Sequence, residues 1–173
     1  MSALTDALIA RQERAVGAPL DYLRTVADAS TAAVVKLGAF APLAAHRQRT
    51  PPIVWHLARL GATEVQDCGT CVQIVVNQAR AEGVPASILH GVLSGDESRL
   101  DDAERLALRY GRGIAARDGA RTLVDEVRDW FGPEILVELA LAVATCQVFP
   151  ILKRGLGQDL ACAVVTVEVP GAL

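Results

Sequence analysis

Asp67-Cys68-Gly69-Thr70-Cys71-Val72-Gln73 ends one helical pattern and opens another, and its reading decides the fold. Upstream, Ile53, Leu57 and Leu60 fall on one stripe at helical spacing, which predicts a helix over about 51–66. Thr50-Pro51 reads as its start, with Thr as N-cap and Pro at the first helical position. Downstream, Val72, Ile74, Val75, Val76 and Ala79 predict a helix to about Glu82, with Gln73, Asn77 and Arg80 on its opposite face. Gly83-Val84-Pro85 closes that helix and starts a short one through Leu93.

Working outward, nearly every segment reads as helix. Residues 3–17 and 20–37 are Ala-rich and separated by Gly17-Ala18-Pro19. Ala41 to Thr50, with Pro42 and the polar run His46-Arg47-Gln48-Arg49, reads as a connector or broken helix. Asp101 and Glu104 resemble a capping box ahead of the stripe Ala103, Leu106, Ala107, Tyr110, Ile114, and Arg117-Asp118-Gly119 ends that helix. Leu123, Val124, Val127, Trp130 and Phe131 mark the next. Gly132-Pro133 opens a helix apolar nearly all round from Ile135 to Phe149, which Pro150 kinks or ends. The β-branched stretch from Leu160 to Val169 reads as an extended tail lying against a partner subunit. The expectation is one all-α domain over 1–173.

Composition narrows the function. With 173 residues, 51% hydrophobic and 21% charged, the chain can bury a core and is not disordered. A net charge of −3 without a basic cluster argues against nucleic-acid binding, and 4% aromatics against base stacking. The apolar stretch Leu136 to Leu152 is shorter than the roughly 20 residues of a membrane span. The N-terminus has no signal-peptide pattern, so a cytoplasmic, reducing setting without membrane contact is expected. A mean hydropathy of +0.30 is high for a monomer and points to buried helices and a subunit interface.

The chemistry centres on sulfur. The cysteines are Cys68, Cys71, Cys146 and Cys162, two of them in a C-x-x-C. Two thiols at a helix start can close a small disulfide ring, and the unpaired N–H groups there favour thiolate. A redox pair, half of a zinc site and an inert pair are all open. Zinc needs two more ligands, and Cys146 and Cys162 form no second motif. Cys146, in an apolar helix, reads as a small hydrophobe.

On the helix before the motif, Glu64 and His56 each lie about 40° from Leu60, so both face the interior or its edge. They stand roughly 12 Å apart along the axis and reach different neighbours. Glu64 is a candidate general base or proton shuttle, or else a structural carboxylate paired with an Arg. His56 is a candidate base for a thiol, or else a satisfied core histidine. Asp67 is expected to cap the following helix.

Asp67 to Gln73, running into Ala79-Arg80-Ala81-Glu82-Gly83-Val84, resembles the core of the carboxymuconolactone decarboxylase/alkyl hydroperoxidase D-like superfamily, a helical hairpin carrying C-x-x-C. Glu138-Leu139-Ala140 to Leu156-Gly157 is similar to that family's last core helix. The resemblance covers about residues 50–157 and leaves residues 1–50 as an N-terminal helical extension. It implies an all-α bundle assembling as trimers or hexamers. It also implies a dithiol–disulfide cycle in which Cys71 attacks peroxide and Cys68 resolves it. The family's proton relay places a His four residues after the second cysteine and a Glu twelve before the first. Val75 and His56 stand at those positions here, with Glu64 as the candidate substitute.

The function expected on these grounds is a thiol–disulfide oxidoreductase of alkyl hydroperoxidase type, an antioxidant peroxidase. It acts on a small hydroperoxide or disulfide, is restored by an external thiol, and requires no metal or organic cofactor. The alternative is a non-catalytic oligomeric or ligand-binding protein that keeps the fold and has lost the relay.

Overall fold

The computed structural model describes residues 3–158 and 165–167. Among them all regular structure is helical: α1 (Ala3–Val16), α2 (Asp21–Ala29), α3 (Thr31–Ala44), α4 (Pro52–Glu64), α5 (Gly69–Ala81), α6 (Ala86–Ser94), α7 (Asp102–Ala116), α8 (Ala120–Phe131) and α9 (Pro133–Gly155).

Local chemistry sets the breaks. The expected single helix over 20–37 is two, because Ser30 adopts an extended backbone and its hydroxyl accepts from Ala33 N–H at 3.2 Å, capping α3. Helix α3 runs on to Ala44 with Pro42 inside its last turn, so the connector starts later than the sequence suggested. At residue 101 the capping box forms as read, with Asp101 accepting from Glu104 N–H at 2.8 Å and Glu104 accepting from Asp101 N–H at 3.0 Å. The start of α4 differs from expectation. Pro51 is its N-cap and Thr50 does not cap it, because the Thr50 hydroxyl donates instead to the Glu138 carboxylate at 2.6 Å.

Helix α4 is the centre of the molecule. Every residue from Val54 to Thr63 is buried, and α4 packs on α7, α9 and α5. Its closest approach is to α7, where glycines let two backbones meet. A Cβ on Gly111 would sit 2.0 Å from the Ala58 carbonyl oxygen, and one on Gly61 2.6 Å from that of Leu108. Gly111→Ala is therefore expected to destabilise the fold by about 3 kcal/mol, because backbone rather than a flexible side chain must yield. Thermal unfolding should show a fall in Tm of roughly 6–12 °C.

Helix α9 passes through Pro150 to Gly155, so the helix neither ends there nor stays as short as its apolar stretch suggested. At 23 residues it is long and apolar enough to cross a membrane by length and composition alone. It packs against α4, α7, α8 and α3, and carries Glu138 and Lys153 buried inside the protein.

The first three helices gather a smaller apolar cluster, Ile9, Leu20, Tyr22, Leu23 and Ala27, against Ile74 of α5 and Phe149 and Leu152 of α9. Asn77 ties α1 to α5 by donating to the Val16 and Gly17 carbonyls, each at 3.0 Å. Gln73 receives the tail. It accepts from Thr166 N–H at 2.7 Å and donates to the Thr166 carbonyl at 3.1 Å, while Val165 and Val167 pack on the main core. The described part of the tail is non-helical, as expected, and lies on its own chain. Cys162 falls outside the described residues.

Candidate functional site: the α5 thiols and the cavity beside them

Cys68 is the N-cap residue of α5 and Cys71 lies in its first turn, both reduced and each 8% exposed. Asp67 precedes the cap, in the left-handed region with φ 50°, and so does not take the capping position expected of it.

A third group joins the pair from the far end of the sequence. Lys153, buried on α9, brings its Nζ to 3.5 Å from Cys68 Sγ. The neighbouring Cys71 S–H and N–H, together with this ammonium, pull Cys68 down to about 6, against the penalty of burial. The same proton-sharing, plus burial, pushes Cys71 up. The pair thus loses one proton early and holds the second, with the negative charge beside Lys153. The helix start alone does not set which sulfur is charged: the hydrogen bond from Cys71 favours Cys68 most, and the ammonium on the Cys68 side adds to it.

Cys71 and Lys153 line a cavity of about 390 Å³ whose wall includes Tyr22, Ile74, Cys146 and Phe149. The N-terminal helices complete it through Gln12, Val16 and Leu20. Cys146 is passive: its thiol donates to the Val143 carbonyl at 3.3 Å, and burial pushes its pKa up.

The two acid–base candidates on α4 part company. Glu64 turns to Arg112, its Oε2 at 2.9 Å from Nη2, while Arg112 also pairs with Glu97. Glu64 and Arg112 border a different, more open cavity that shares no wall residue with the thiol cavity. Burial raises the Glu64 pKa despite Arg112. The structure thus gives Glu64 the paired-carboxylate role that the sequence left open, without bringing it onto the thiol cavity.

His56 is fully buried, edge-on to Trp55 at 4.9 Å between ring centroids. Its Nδ1 lies 3.4 Å from Arg59 Nη1 and its Nε2 3.4 Å from Glu82 Oε1. Burial, then Arg59, bring its pKa down to about 4, so the ring is neutral near pH 7. It sits behind Arg59 and Glu82, which do line the cavity, and is not itself on the wall.

Lys153 and Arg59 are the residues that sequence reasoning passed over. The available signal was a cation set against apolar neighbours: Arg59 stands between Ala58 and Leu60, and Lys153 follows Ile151-Leu152 and precedes Arg154. Among the described residues, no three His, Cys, Asp or Glu side chains converge as metal ligands. In comparisons with family models, curated proteins and solved structures, the chain matches none of them.

Proposed function

We propose that the protein is a thiol–disulfide oxidoreductase of the alkyl hydroperoxidase D-like kind, reducing hydroperoxides through Cys68 and Cys71. The observation that carries this reading is the ammonium of Lys153 beside a C-x-x-C at a helix start, with Cys71 and Lys153 on the wall of a cavity. It provides a local substitute for the missing relay His. In the resting pair Cys71 S–H faces the Cys68 thiolate.

As Cys71 Sγ attacks the outer oxygen of ROOH, its proton passes to Cys68. The O–O bond breaks, and the departing alkoxide takes that proton to leave as ROH. Cys71 is then a sulfenic acid and Cys68 again a thiolate. Cys68 attacks the Cys71 sulfur, the S–S bond forms and the S–O bond breaks. Hydroxide leaves as water with a proton from Lys153, which solvent restores. Two equivalents of an external thiol return the dithiol and leave as their own disulfide. The resemblance gives the attack to Cys71, and its place on the cavity wall supports that order.

The test is to treat reduced protein with tert-butyl hydroperoxide and count free thiols by alkylation and mass. The expected product has lost two hydrogens, with Cys68 and Cys71 linked. If that disulfide never forms, the peroxidase reading fails. The low exposure of both sulfurs would then favour the binding-protein alternative.

Assembly into a homo-oligomer belongs to the same proposal. Val137, Val148 and Ile151 on α9 and Val35 and Leu43 on α3 are exposed apolar residues of the kind a subunit contact covers. Sedimentation should return a trimer or hexamer, and a monomer at all concentrations would remove this part.

A further inference from the structure

The charges around the thiol cavity do not cancel. The Glu82 carboxylate on its wall is taken by Arg47, at 2.5 Å. The Lys153 ammonium faces the Cys68 sulfur. Arg59 has no such partner. It is only 9% exposed, and among the described residues no ion pair reaches it.

Its neighbours hold it without neutralising it. Arg59 Nη2 donates to Gln78 Oε1 at 2.8 Å, Nη1 lies 3.4 Å from His56 Nδ1, and the guanidinium sits 4.3 Å from the centre of the Trp55 ring. Its Nε is buried with no hydrogen-bond partner. A buried cation left this way is costly, and its planar fork is the shape that grips a carboxylate through two parallel hydrogen bonds. Beyond the guanidinium the wall is largely apolar, with Val16, Leu20, Ile74 and Phe149.

We infer that this cavity is a binding site for an alkyl carboxylate, with the head group on Arg59 and the chain along those apolar side chains. His56, Gln78 and Trp55 are positioning residues that hold the guanidinium in place. Its volume, about 390 Å³, suits a medium-length chain. The binding site stands on the geometry alone. One consequence rests on the oxidoreductase reading: the preferred substrate is then a hydroperoxide that also carries a carboxylate, since Cys71 shares the cavity with Arg59.

The test uses the reduced full chain, without peroxide, and titrates it calorimetrically with octanoate, octanol and octylamine. Octanoate is expected to bind at least about tenfold more tightly than octanol, and octylamine more weakly than either. Arg59→Gln should bring octanoate down to the affinity of octanol and leave octanol unchanged. Lys153→Gln should preserve the preference for octanoate. If Arg59→Gln fails to fold, the three ligands on the natural chain still decide.

Equal affinities for octanoate and octanol, or no octanoate binding, overturn the site. So does a preference that disappears with Lys153→Gln and survives Arg59→Gln. No thiol chemistry occurs in this titration. Its failure therefore leaves the disulfide test untouched, and failure of that test leaves the carboxylate site standing.

Discussion

If the proposed peroxidase cycle operates, Cys71→Ser is expected to lower hydroperoxide consumption by at least about a hundredfold, because the sulfur to which the proposal gives the attack is gone from the cavity wall. Cys68→Ser should differ in kind. Cys71 then loses the thiolate that takes its proton and the sulfur that resolves its sulfenic acid, so no internal disulfide forms and slow oxidation stops at a single cysteine. Mass analysis after peroxide separates the two outcomes.

Lys153→Gln keeps both sulfurs and removes only the cation 3.5 Å from Cys68. The Cys68 thiol, held down at about 6 chiefly by hydrogen bonds from Cys71 and further by Lys153, should move part of the way back up toward the ordinary thiol value. At pH 7 alkylation should slow by roughly two- to fivefold, and at pH 9 the two proteins should converge. A Lys153→Gln profile that overlays the natural one would show that the ammonium does not govern the pair.

Glu138→Ala should cost the fold about 4 kcal/mol, with a fall in Tm of roughly 8–16 °C by thermal unfolding. The carboxylate is 5% exposed and gathers one turn of the chain that leads into α4. It accepts from Gln48 N–H at 3.0 Å, Arg49 N–H at 3.0 Å, Thr50 N–H at 3.0 Å and the Thr50 hydroxyl at 2.6 Å. Without it, several buried or half-buried donors lose their acceptor together. The loop also carries Arg47, so the Arg47–Glu82 pair on the thiol cavity should loosen as well.

The pH dependence has a definite sign. Hydrogen bonds from Thr50, Gln48 and Arg49 outweigh burial and hold Glu138 down at about 2. An unfolded Glu ionises near 4.3, so its stabilisation is complete above that value and fades as pH falls toward about 2. Natural protein should lose stability across that window more steeply than Glu138→Ala, as measured by denaturant midpoints at each pH.

Much of the helical architecture was legible because its signals are local. The stripe on α7 with its capping box at Asp101 and Glu104, the Gly-Pro opening of α9 and the amphipathic α8 are all patterns within a few turns of chain. Ser30 was equally local and was missed, since a serine in an Ala-rich run reads as helix until its hydroxyl is seen to cap Ala33. Thr50 was misread for another reason. Its better partner, Glu138, stands 88 residues away, and a charged acceptor outcompetes a local backbone cap.

The same division applies to the thiol site. The amino-acid sequence by itself determined an all-helical chain and two cysteines at one helix start, because both depend on neighbours within a turn or two. The tertiary structure alone decided that a buried ammonium stands 3.5 Å from Cys68, that Glu64 belongs to Arg112, and that the Arg59 Nε is buried without a hydrogen-bond partner among the described residues. Those outcomes depend on α7, α9 and α5 packing on α4, which brings charges within a few ångströms across long separations in the chain. Over such distances the energy is set by burial and spacing between elements, which residue order along the chain does not encode locally.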